Sequence, residues 1–244
     1  MNPVIASITL RQLLSRRRTI LLLLLGGVLV LVALIYRLAG DGRDDLNFTS
    51  GLLDNLGLAA LMPLVALLFA TSALGSELED GTAVFILAKP VSRWSILVTK
   101  LAVASGCSLV VTCIPIAVAG LIGAGGTGDG LVAGYTVAAA FGTVVYCALF
   151  LFLSLVTGRA LIIGLGYVLI WEGVLSGLFA GTRTFSVRQY SLALADAVAD
   201  VPSNVLDAAL DLRTALVMAV VIACAVTFLA GRRLARIEIA GEAA

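Results

Sequence analysis

The chain contains no histidine among its 244 residues. Histidine is the side chain used most often as a general base near neutral pH, and it is the commonest metal ligand in proteins. Its absence weighs against a hydrolytic enzyme and against a metal site. The four cysteines fall inside apolar segments without a Cys-x-x-Cys spacing, so we expect small buried side chains there, not a disulfide or a metal centre.

Charged residues are also scarce, at 13% of the chain, whereas a soluble domain carries about 25%. Apolar residues make up 61%, and these two proportions together predict an integral membrane protein. The net charge of +1 argues against nucleic acid as a partner. The phosphate-binding string Gly-x-x-x-x-Gly-Lys-Ser/Thr is missing, so ATP hydrolysis by a P-loop would have to occur in another subunit. We therefore expect no enzyme activity and no cofactor in this chain.

Apolar runs of about 20 residues are long enough to cross a bilayer as helices. They predict a single all-α membrane domain over 1–244, with six spans at about 19–36, 52–74, 93–123, 131–156, 160–180 and 214–230. Residues 2–18 alternate apolar side chains with arginines, which predicts an amphipathic helix lying on the membrane. A cleaved signal peptide is the alternative, but the apolar run that follows is longer than such peptides have, which favours a retained first span.

The distribution of Lys and Arg predicts the orientation, because positive charges concentrate in cytoplasmic loops. Placing the N-terminus inside assigns these residues to the cytosol: Arg11, Arg16, Arg17, Arg18, Lys89, Arg93, Lys100, Arg159, Arg232, Arg233 and Arg236. The remaining ones are then external: Arg37, Arg43, Arg183, Arg188 and Arg213. Both termini are predicted to be cytosolic. Residues 181–213 become an external amphipathic segment, in which Leu194, Val198 and Val201 share one face.

A dense polar motif separates the second and third spans. Three acids, Glu77, Glu79 and Asp80, precede the apolar run 83–88, and Lys89 and Arg93 follow it. Six residues reach only about 9 Å as a helix, so this run cannot cross a hydrocarbon core of about 30 Å. Apolar side chains exposed between charges favour a partner surface, and we interpret segment 76–92 as a cytosolic docking element. Ser92 is a suitable N-cap for the third span.

Three further features each have two readings. Glu172 falls within the fifth apolar segment, where a carboxylate either lines a substrate path or reaches the outer surface because the helix ends near Gly173. Gly173, Gly177 and Gly181 repeat every four residues, which is typical of a close helix contact, and we prefer a dimer seam to an internal contact. The string Gly126-x-Gly128-Asp129 matches intramembrane aspartyl proteases. It lacks a second acid within a span, which favours a simple turn.

The central motif resembles the cytosolic signature of type-2 ABC transporter permeases, the export-type membrane subunits. The matching residues are Glu77, Glu79, Gly81, Thr82, Pro90, Val91, Ser92, Arg93 and Lys100. The layout of a basic N-terminal segment, six spans and cytosolic ends is similar to that family over nearly the whole chain. The opening 2–4 and the stretch 62–68 look most like the permease of the nitrous oxide reductase maturation system.

The resemblance implies a permease dimer bound to two ATPase subunits, which would hold the ATP and Mg²⁺. The coupling helix would then seat in the ATPase through residues of the central motif: Glu77, Glu79, Asp80, Gly81, Thr82, Val84, Phe85, Leu87, Lys89, Pro90, Ser92 and Arg93. The implied function is ATP-driven export across the inner (plasma) membrane. The alternative is a membrane scaffold that transmits ATPase force to an external partner. The substrate is not predicted, although the apolar spans mildly favour a lipidic or amphipathic cargo.

Overall fold

The computed structural model describes residues 6–7, 9–10, 13, 17–39, 45–79, 92–175 and 180–236. The α-helices in these residues are α1 Arg17–Ala39, α2 Asp45–Leu52, α3 Met62–Glu79, α4 Arg93–Ala124, α5 Leu131–Val156, α6 Ala160–Gly166, α7 Val187–Val198 and α8 Leu212–Arg236. Two π-helical stretches, π1 Leu53–Leu61 and π2 Tyr167–Leu175, join α2 to α3 and extend α6, and a 3-10 helix covers Ala180–Phe185. The predicted all-α membrane fold is confirmed.

Five helices in the described part of the chain are long and apolar enough to cross a membrane. They are Ile20–Ala39, Asp45–Leu74, Arg93–Ala124, Leu131–Val156 and Leu212–Leu234. These five coincide, within a few residues at most ends, with the predicted first, second, third, fourth and sixth spans. The second is the exception, since its helix begins seven residues before the predicted start at residue 52. Over the predicted span 160–180 the apolar helix found is Ala160–Val174, and residues 176–179 lie outside the described residues, so a continuous span there stays a prediction.

The helices divide into central and peripheral ones. Within its most apolar window, the span Asp45–Leu74 is 72% buried and α5 is 61% buried, whereas α1 and α8 are each only 22% buried. Helix α5 packs against α3, α4, α7 and α8, and its buried aromatic side chains Tyr135, Tyr146 and Phe150 fill the centre. The apolar outer faces of α1 and α8 therefore remain for lipid or for another chain.

One end of the bundle is where α3 ends and α4 begins, and we name it the motif end. Lys100 of α4 donates a hydrogen bond from Nζ to the carbonyl oxygen of Ala73 on α3, at 2.6 Å. Arg93 at the start of α4 donates from Nη1 to the carbonyl oxygen of Leu234 on α8, at 2.8 Å. Helices α3, α4 and α8 are thus fastened together within the first turns of α4.

The opposite end, named the far end, holds the start of α2 and the turn between α4 and α5. Ser50 Oγ donates to the carbonyl oxygen of Val205 at 2.8 Å, which places the 199–211 segment there. The turn at 125–130 is glycine-rich, and Asp129 within it has a φ of 49°. The prediction that Gly126-x-Gly128-Asp129 forms a turn is confirmed.

The chain crosses between these ends a further time, in two pieces. Helix α5 ends at Val156 at the motif end, and α8 begins at Leu212 at the far end, so residues 157–211 must cross the bundle. Residues 160–175 form the first arm, about 24 Å long, and α7 forms the second, about 18 Å long. We name residues 157–211 the broken crossing, because α7 begins beside Glu172 of the first arm, and residues 176–179 between the arms lie outside the described residues.

Helix α7 therefore lies alongside α5 and not on an outer surface. A Cβ placed on Gly134 of α5 would lie 2.7 Å from the carbonyl oxygen of Ala195, so the two backbones touch. The buried residues of α7 are Val187, Tyr190, Ser191, Ala193 and Ala195. The predicted external segment 181–213 thus needs correction, because its first half packs inside the bundle. Its predicted apolar face is also wrong, since Val198 is 41% exposed and ends the helix.

The predicted amphipathic segment 2–18 lies mostly outside the described residues. Of those described, Thr9 and Leu13 are buried and Leu10 is exposed. An apolar cavity of about 490 Å³ lies between Ala6, Ser7 and Leu10 on one side and Phe69 of α3 and Val110 of α4 on the other. This part of the segment therefore contacts the spans directly.

Substituting Gly134 by Ala tests the packing of α7 on α5. The added Cβ would meet backbone at 2.7 Å, and we expect a loss of about 1–3 kcal/mol in unfolding free energy. Gly27→Ala is the matched control, since nothing lies within 4 Å of its Cβ and Ala favours the helix. Thermal unfolding in detergent measures both. Equal melting temperatures for the two variants would contradict the contact.

Candidate functional site

The predicted docking motif is placed only at its two edges. Glu77 and Glu79 lie in the last turns of α3, and Ser92 caps α4 by accepting a hydrogen bond from the backbone N of Ser95 at 3.3 Å. The predicted N-cap is therefore confirmed. The other docking residues lie outside the described residues: Asp80, Gly81, Thr82, Val84, Phe85, Leu87, Lys89 and Pro90.

The helices that flank the motif are tightly held. Lys100 is fully buried, and its bond to the Ala73 carbonyl oxygen joins α4 to the end of α3. Trp94 contacts Phe228 of α8 with ring centroids 6.2 Å apart, and it packs against Gly231. A displacement of the motif would therefore be passed to α3, α4 and α8 together.

The two arms of the broken crossing meet at Glu172. Its Oε2 accepts a hydrogen bond from Ser186 Oγ at 2.5 Å, and its Oε1 accepts one from the backbone N of Val187 at 3.0 Å. Tyr167 donates its hydroxyl to the same Oε1 at 3.3 Å. Since α7 begins at Val187, the carboxylate sits at a helix N-terminus, where free N–H groups and the helix dipole stabilise negative charge.

A charge pair lies one residue further along α7. Arg188 donates from Nε to Asp54 Oδ1 at 3.1 Å and from Nη2 to Asp54 Oδ2 at 2.7 Å. This bidentate geometry is the strongest arrangement of a guanidinium and a carboxylate. The side chains are 17% and 24% exposed, so the pair is largely enclosed. It fixes α7 to π1 about a third of the way along the second span from its start at Asp45.

These contacts form one unit, which we name the junction: Asp54, Tyr167, Glu172, Ser186, Val187 and Arg188. Three consecutive residues at the start of α7 bind carboxylates from two different elements. Both carboxylates lie on π-helical stretches, and π segments within α-helices are frequent at functional sites. Ionisable side chains at membrane depth face the protein interior and mark functional positions by default.

The structure places Glu172 differently from both readings of the sequence. Its residue is only 2% exposed, so in this conformation the carboxylate does not line an open path. The reading in which the helix ends at Gly173 and the carboxylate reaches the surface is wrong, because π2 continues to Leu175 and Glu172 is buried. The prediction that Glu172 lines a substrate path stays a prediction.

The three glycines predicted as a dimer seam are placed only in part. Gly173 lies in π2 and is exposed, Gly177 lies outside the described residues, and Gly181 lies in the 3-10 helix. The dimer seam at Gly173, Gly177 and Gly181 stays a prediction.

Sequence reasoning missed Asp54 and Arg188. Asp54 is one of the few acids inside a predicted span, and this position could have indicated a functional residue. Arg188 was assigned to the outside by counting charges, which carries no information on pairing. Among the described residues, no group of three His, Cys, Asp or Glu side chains could hold a metal ion.

The fold and the junction define a multi-pass helical membrane protein whose spans enclose charged residues. The family model described as "ABC-2 family transporter protein" matches residues 4–228, which is nearly the whole chain. The chain therefore belongs to the ABC-2 transporter family, and it is a transmembrane permease component of an ABC transporter. The broad resemblance predicted from the motif is confirmed. No curated protein matches the chain.

Substituting Arg188 by Gln tests the enclosed charge pair. We expect a loss of about 1–3 kcal/mol in unfolding free energy, because the enclosed Asp54 carboxyl loses its two hydrogen bonds from the guanidinium. Arg37→Gln is the matched control. Arg37 pairs with Asp45 at 2.9 Å but is 47% exposed, and such surface pairs contribute about 0–1 kcal/mol. Thermal unfolding in detergent compares the two variants, and an equal or larger loss for Arg37→Gln would contradict the assignment.

Proposed function

We propose that this permease couples ATP hydrolysis by a separate ATPase subunit to export of a substrate. Membership of the ABC-2 family carries this proposal. The family supplies a membrane component that is not itself catalytic and that normally pairs with an ABC ATPase. ATP and Mg²⁺ are then bound by that partner.

The docking element in this proposal is the segment 76–92, which includes the end of α3 and leads to the start of α4. In this proposal Val84, Phe85 and Leu87 form an apolar ridge, and Glu77, Glu79 and Arg93 make polar contacts around it. The Lys100 and Arg93 bonds to backbone carbonyl oxygens support this role. Through these bonds, a docked partner would act on α3, α4 and α8 together.

The stretch Asp45–Glu79 connects the docking element to the junction. It is helical throughout, running from Glu79 at the motif end through π1 to Asp45 at the far end. Movement of the motif end would act on Asp54, and through Arg188 on α7. In the proposed export step, the ATPase subunits close and shift the helical stretch Asp45–Glu79. The broken crossing then moves with it, and a path opens towards the far end.

The assembly in this proposal contains two permease copies, or one copy and a related chain, with two ATPases. The membrane is the inner (plasma) membrane, with the motif end and both termini in the cytosol, as the excess of Lys and Arg on that side indicates. The cargo is lipidic or amphipathic, because the spans are mostly apolar.

Reversing the charge of Glu77 and Glu79 together with Phe85→Asp tests the docking. Both the polar rim and the apolar ridge are then disrupted, and we expect co-purification of the ATPase to fall at least tenfold. Asp200→Lys with Asp207→Lys is the matched control, since both acids are exposed beyond α7, near the far end. Undiminished co-purification and transport in the motif variant would refute the docking role.

The alternative function is a scaffold that passes ATPase force to an external partner without moving a substrate. The loop 199–211 at the far end is the surface that favours it. ATPase activity in liposomes separates the two functions. An exporter complex shows stimulation by its cargo alone, whereas a scaffold shows none until the outer partner is added.

A further inference from the structure

A groove at the motif end lies between α5 and α8, away from the junction. It is lined by Phe152, Val156, Leu229, Arg232 and Arg233, and its volume is about 410 Å³. The three apolar residues form its walls, and the two arginines stand at its rim at the end of α8. A slot that is apolar along its length and basic at its mouth has the character of an amphipathic ligand site.

The arginines are available for an anion. Within the described residues, neither guanidinium has a carboxylate partner, and both side chains are exposed. Arg232 lies over the ring of Phe228, with Cζ 5.8 Å from the centroid, which holds its side chain beside the groove. Guanidinium groups bind phosphate through paired N–H donors, so two of them make a strong phosphate cradle.

The position of the groove relative to the membrane indicates which kind of phosphate compound binds there. Val156 is the last residue of α5 and is 49% exposed, and Leu229 of α8 is 47% exposed. This apolar surface faces outward at the end of two membrane spans, where acyl chains meet headgroups. Basic pockets between spans on the cytoplasmic side bind anionic lipid headgroups.

We propose that this groove binds an anionic phospholipid, with the phosphate on Arg232 and Arg233 and an acyl chain along Phe152, Val156 and Leu229. The lipid fills the space between α5 and α8 at the level where Arg93 bonds to Leu234 of α8. It is therefore positioned to stabilise the contact between the motif end and the last helix. The site shares no lining residue with the segment 76–92 or with the junction.

Native mass spectrometry of the full chain tests the site, with phosphatidylglycerol and phosphatidylcholine offered in equal amounts. We expect retained phosphatidylglycerol on the unaltered protein. The apparent affinity should fall about fivefold for Arg232→Gln or Arg233→Gln alone and more than tenfold for both together. Arg213→Gln is the control, because it removes the same charge from the far end. An equal loss with Arg213→Gln would overturn the proposal.

Two further measurements in the same experiment exclude other occupants of the groove. Val156→Trp fills the slot without altering charge, and we expect it to lower phosphatidylglycerol retention as strongly as the double arginine variant. Glycerol 3-phosphate should not compete, since it lacks the acyl chain. Competition by glycerol 3-phosphate, or full lipid retention in Val156→Trp, would overturn the lipid assignment. Loss of the ATPase with unchanged lipid retention in the arginine variants would identify a protein contact instead.

Discussion

The bond between Glu172 and the start of α7 is the contact on which the architecture depends. Helix α7 is about 18 Å long, too short to span a hydrocarbon core of about 30 Å, and its N-terminus would lie unsatisfied inside that core. The carboxylate supplies acceptors to the Ser186 hydroxyl and the Val187 backbone N. A charge that would be costly in lipid is stabilised by a helix N-terminus that is also costly there. The break is therefore stable because the two defects satisfy each other.

The second carboxylate of the junction, Asp54, connects the junction to the docking motif through one helical rod. Asp54 binds the next residue of α7 from the far-end third of the long Asp45–Glu79 rod, whose other end enters the docking motif. At that end, Lys100 and Arg93 bind backbone carbonyl oxygens of α3 and α8. The polar contacts thus connect the motif end to the junction through one helix. An apolar interior would pack as well but would not specify which elements move together.

Sequence reasoning predicted what depends on composition and length, namely the membrane class, the five continuous spans, the Ser92 cap and the glycine-rich turn. It failed where tertiary contacts decide. Hydropathy over 160–180 cannot show that Glu172 binds the start of a later helix. Arg188 counts as an external charge until its partner Asp54 is known. The repeat of Gly173, Gly177 and Gly181 cannot show that Gly181 lies in a 3-10 helix.

The most direct test of this account is the topology of the broken crossing. With the four natural cysteines replaced, a single cysteine at Gly158, in the loop after α5, is compared with one at Asp207, in the loop before α8. A membrane-impermeant maleimide applied to intact cells and to inverted vesicles shows which side each occupies. The account predicts labelling from opposite sides of the membrane. Labelling of both positions from the same side would show that residues 160–198 enter and leave on one face, and would contradict it.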